Sequence, residues 1–89
     1  MGNPGDALAS LGILKGGIHM AMKVIARDKL CGITVVSVIV NLRKHYAVYI
    51  FMDEKGFINA DVQTDDLHEI IRSEESLEGL FPGIMKLVA

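Results

Sequence analysis

The sequence predicts an α+β domain, a three-stranded antiparallel meander with a long N-terminal helix and a second helix in the order αβββα. Three observations predict it. Residues 30–42 (LCGITVVSVIVNL) and 46–52 (YAVYIFM) are dense in Val, Ile, Thr and aromatic residues, the side chains that suit a pleated, half-buried surface. Asp53-Glu-Lys-Gly56 then carries the chemistry of a tight hairpin turn. Ahead of both runs, apolar residues recur at helical spacing.

Taken in order, residues 1–5 (MGNPG) form a flexible lead to a single domain spanning residues 1–89,. Asp6 stands as an N-cap, and Ala7 to Asp28 read as the long helix. Its core arc is Ala7, Leu11, Leu14, Ile18, Ala21, Met22 and Ile25,. Gly16-Gly17 is its weak point, because each glycine costs about 1 kcal/mol against Ala inside a helix. Strands follow at 30–42 and 46–52, joined by the polar turn Asn41-Leu-Arg-Lys-His45. Phe57 to Val62 is a shorter, more polar third strand, expected at a sheet edge,. Thr64 is placed to cap the second helix, with Asp65 and Asp66 in its first turn and Leu67, Ile70 and Ile71 as its apolar stripe,. Residues 73–79 extend that helix or start a separate turn. Phe81-Pro82-Gly83 is a break, and residues 84–89 suit either a short C-terminal strand or a docked tail.

Composition narrows the function. The chain has 89 residues, 51% of them apolar and 22% charged, with a net charge of −2. That balance belongs to a folded domain and provides no global attraction for nucleic acid or anionic lipid. Cys31 is the one cysteine, which excludes an internal disulfide and suits a reducing compartment, so a cytoplasmic protein is expected. The longest charge-free run is too short and too β-branched for a membrane span. No basic start followed by an apolar stretch marks a secretory signal. Met1-Gly2 opens like an acylation motif, but Asp6 stands where that motif wants Ser or Thr.

The apolar content exceeds what one small fold readily hides. Ile33, Val35 and Ile39 point to one face of the first strand, and Val36, Val38 and Val40 to the other. In the next strand Ala47, Tyr49 and Phe51 oppose Tyr46, Val48, Ile50 and Met52. An antiparallel sheet with one wet face should alternate apolar and polar residues, and these strands do not. Ile13, Met20 and Val24 add a second apolar stripe to the long helix, with Gly17 between them allowing close approach,. Self-association follows as the expectation, through Ile13, Gly17, Met20, Val24, Val36, Val38 and Tyr46. The plainer alternative is that the tail and second helix cover both faces.

Polar candidates are weaker. Lys15, His19, Lys23 and Arg27 recur every fourth residue as a basic stripe on the long helix, a candidate anion- or partner-binding strip. A solvated helix face explains the same pattern. Arg43-Lys44-His45 lie at the same end of the sheet as Asp65 and Asp66, where the charges should cancel. Asp65, His68 and Glu69 offer one histidine and an aspartate already used as a cap, too few for a metal site. No nucleophile has a base near it, no carboxylate pair sits in an apolar setting, and no glycine loop follows a strand. The αβββα order resembles double-stranded-RNA-binding domains in element order alone. Thr64-Asp65-Asp66 has the wrong sign for the lysine-rich start of that family's second helix, so no family is assigned. The expectation is a non-enzymatic interaction module, without cofactor or metal, that forms a homodimer and presents a surface to another protein. Nucleic-acid binding through the basic stripe is the alternative.

Overall fold

The computed structural model describes residues 21–41 and 44–89, and most of them belong to one five-stranded antiparallel sheet. Its strands are β1 (Ala21–Leu30), β2 (Ile33–Asn41), β3 (His45–Asp53), β4 (Gly56–Gln63) and β5 (His68–Ile71). Spatial order equals chain order, so β1 and β5 are the edges. Two short helices follow, α1 (Glu74–Leu80) and α2 (Ile84–Val88).

This arrangement overturns the predicted αβββα fold. Ala21–Asp28, read as the end of a long helix, are strand; residues 1–20, with the predicted flexible lead and the remainder of that helix, lie outside the described residues. Thr64 does not cap a helix. Its N–H donates to the Leu67 carbonyl at 2.8 Å, closing a turn that leads into β5. The predicted edge strand, β4, is therefore internal, with β5 paired outside it. The tail at 84–89 forms no strand, and α2 docks on the sheet instead.

Two of the tight hairpin turns that join consecutive strands have a clear chemical reason. Cys31 (φ 54°) and Gly32 (φ 81°) make the two-residue link between β1 and β2. Positive φ at both positions matches the right-handed twist of the flanking strands. At the second of these turns, Gly56 adopts φ 120° and the Lys55 N–H donates to Asp53 Oδ1 at 2.8 Å. Cys31 is the one non-glycine residue at positive φ among the described residues, a conformation costing roughly 1–2 kcal/mol that Asn tolerates better. Cys31→Asn is expected to stabilise the fold by about 0.5–1 kcal/mol. Thermal unfolding should register this as a rise of a few degrees.

β1 contains a bulge. Val24 faces Val38 and Ala26 faces Ser37, which leaves Ile25 without a partner. The extra residue reverses the phase of the strand. Met22 and Val24 share the face of Val40 and Val38, and after the bulge Arg27 joins that face opposite Val36.

The core lies between this face and the two helices. Val36, Val38, Val40, Val48, Ile50, Ala60, Val62 and Ile71 come from the sheet, and Leu77, Phe81, Ile84 and Val88 from the C-terminal segment. Each large side chain fully buried here is worth about 1.5–3 kcal/mol. Neither helix is long enough to persist alone. Ser73 Oγ caps α1 by accepting from the Ser76 N–H at 3.0 Å. Glu78 of α1 caps α2, its carboxylate accepting from the N–H groups of Gly83 and Met85. At the other end of α2, Arg27 Nη1 donates to the Val88 carbonyl at 2.9 Å, a cation placed where the helix dipole favours one.

Candidate interaction surface

With α1 against β4 and β5 and α2 against β1, the described helices pack on one side of the sheet. The strand register lays out the opposite face in three rows. Lys23, Ile39, Ala47, Gln63 and His68 form the first, and Ala26, Ser37, Tyr49, Asp61 and Ile70 the second. Asp28, Val35, Phe51 and Asn59 form the third. The centre of this face is apolar: Val35, Ile39, Ala47, Tyr49 and Phe51 are half-buried by one another, and no described element lies over them.

Polar groups gather toward β4 and β5. Gln63 Nε2 donates to Asp61 Oδ2 at 3.0 Å, and His68 Nε2 lies 2.8 Å from Asp61 Oδ1. Asp61 Oδ1 is shut from solvent, with the His68 ring nitrogen as its neighbour.

The two loops at one end of the sheet meet as their charges suggested. Lys44 Nζ lies 2.8 Å and 3.0 Å from the two Asp66 carboxylate oxygens, and Thr64 Oγ1 donates to Asp66 Oδ1 at 3.0 Å. The hydrogen bond to Asp66 raises the Lys44 pKa. The hydrogen bonds from Lys44 and then Thr64 lower that of Asp66. Lys44, His45, Thr64, Asp65 and Asp66 line a shallow cleft of about 260 Å³ there, in which Lys44 is paired with Asp66. A second groove, about 170 Å³, lies between Tyr46, Val62, Leu67, Glu69, Leu80 and Phe81. In the first, the Thr64 hydroxyl is held by the Asp66 carboxylate that Lys44 also engages. Among the described residues no three His, Cys, Asp or Glu side chains converge as a metal site, and no helix is long and apolar enough to cross a membrane.

Several predicted site residues take other places. Val36 and Val38 are fully buried in the chain's own core, so they offer no surface to a second copy. Val24 packs against that core, and Tyr46 meets Phe81 edge-on with ring centroids 5.4 Å apart. Lys23 and Arg27 form no helical stripe, because the bulge sends them to opposite faces of β1. Ile13, Gly17, Met20, Lys15 and His19 lie outside the described residues. Cys31, expected within a strand, is exposed in a turn. On the helix-free face Val35, Ile39, Tyr49 and Phe51 are half-buried with no described element over them. One signal in the sequence separates the faces: in β4 the polar Asn59, Asp61 and Gln63 fall on this face, and Ala60 and Val62 on the other. Compared with protein-family models, curated proteins and solved structures, the chain finds no match.

Proposed function

We propose that this chain is a non-enzymatic interaction module that forms a homodimer through the helix-free face of its sheet. One observation carries the reading: Val35, Ile39, Ala47, Tyr49 and Phe51 form an apolar arc around the buried Ser37, with no described element over it. Small soluble domains rarely leave such a surface uncovered. Four strands roughly 28 Å long and the four-residue β5, spaced about 4.8 Å apart, present on the order of 600 Å². A typical stable interface buries about 800 Å² per partner, so face-to-face packing of two sheets approaches that size. Packing of this kind interdigitates apolar side chains from both inner faces. The dimer would leave the sheet edges and helices free to meet a further protein. The exposed, unpaired thiol of Cys31 suits a reducing compartment.

Side-chain oxidation by hydroxyl radicals, followed by mass spectrometry, tests which surface closes. Tyr49 and Phe51 should become several-fold less reactive as protein concentration rises, while Leu30 and Leu67 stay unchanged. Reactivity of Tyr49 and Phe51 that is independent of concentration would overturn the proposed contact.

A further inference from the structure

We infer that β1 is a strand-addition edge for an extended acidic peptide segment of another protein. Among the described residues its outer side pairs with no strand, and it runs for ten residues against four in β5, the opposite edge. An unpaired edge presents alternate N–H and C=O groups that an incoming strand can satisfy. Two further properties of β1 define the guest. Leu30, 73% exposed, and Ile25, 56% exposed, are the most exposed large apolar side chains among the described residues, so an added strand would cover apolar surface as well as backbone. The strand also carries Lys23, Arg27 and Lys29 against the single acid Asp28.

The bulge at Ile25 distributes that charge. Lys23 lies on the helix-free face, whereas Arg27 and Lys29 fall on the helix-covered face. Arg27 is engaged with the Val88 carbonyl, which leaves the two lysines to meet guest carboxylates, one on each side of the sheet. A guest alternating acidic and apolar residues therefore finds a cation whichever face its carboxylates take. Lysines alone can serve to discourage strand pairing, but an edge guarded only against pairing has no need of exposed Leu30 and Ile25 beside them.

The test uses the full chain and a fluorescein-labelled decapeptide of alternating Glu and Val, with a Lys-Val repeat as control. Fluorescence anisotropy should show binding of the acidic peptide that weakens with salt and falls about tenfold in a Lys23→Glu, Lys29→Glu double variant. That variant should prefer the Lys-Val peptide. Hydrogen exchange should show the acidic peptide protecting amides of β1 and not those of β5. Equal binding of the two peptides, or binding without protection of β1, would overturn the inference. So would β1 amides already fully protected in the free chain, because another segment of the chain would then occupy the edge. Protection of β1 that appears only with rising protein concentration would assign the edge to a second copy and likewise overturn it.

Discussion

Phe81→Ala should remove about 3–5 kcal/mol of stability, the range for truncating a buried aromatic side chain. Phe81 is 2% exposed and joins three parts of the fold. Its N–H donates to the Leu77 carbonyl at 2.9 Å, ending α1, and its carbonyl accepts from the Ile84 N–H at 3.0 Å, opening α2. Its ring meets Tyr46 of β3 edge-on at an interplanar angle of 68°, a contact worth about 0.5–1.5 kcal/mol beyond area burial. The backbone bonds survive the substitution; the packing does not. Against a total stability of about 5–15 kcal/mol for a domain, the variant should lose much of its folded population on modest heating. Urea titration of the variant beside Tyr46→Leu separates the contributions, since the latter should cost about 1 kcal/mol for the lost aromatic pair. Equal losses in the two variants would mean that Phe81 acts only through its ring contact with Tyr46.

Val38→Glu should abolish folding, while Ile39→Glu should leave the fold standing. These neighbours differ by one step along β2 and so lie on opposite faces of the sheet. Val38 is fully buried beneath the helices, where an unpaired carboxylate would face a penalty of several kcal/mol. Ile39 is half-buried on the helix-free face between Lys23 and Ala47. A glutamate there reaches solvent from an isolated protomer and has a cation beside it. Circular dichroism and thermal unfolding of the pair read the two-faced sheet directly, and a fold lost equally in both would contradict it.

The strands richest in β-branched residues were the most legible parts of the chain. β2, β3 and the Asp53–Gly56 turn fall close to where composition placed them, and the alternation of Val36, Val38 and Val40 against Val35 and Ile39 is the alternation observed. β1 was not legible because its bulge breaks the two-residue period at Ile25. What remains, Met22 and Ile25 among Ala, Lys and Arg, imitates helical spacing with good helix formers. β5 failed for a related reason. Leu67, Ile70 and Ile71 fit a helical stripe over a span of one turn, too short for period to decide between helix and strand. The Cys31-Gly32 turn lacks the Asn or Asp that usually marks its type, so composition suggests one long strand where a hairpin begins. Of the candidate surface, the excess of apolar residues was visible, but its face was not, because both faces of β2 and β3 are apolar in isolation. The choice is made by β4, whose Asn59, Asp61 and Gln63 lie on one side and Ala60 and Val62 on the other.

The most direct test of the central claim, that the helix-free face joins two copies of this chain, is the solution mass of the wild-type protein and Ile39→Glu by light scattering across a dilution series. A dimeric wild type and a folded, monomeric variant are the predicted result. A wild type that stays monomeric at high concentration, or a variant that remains dimeric, would contradict it.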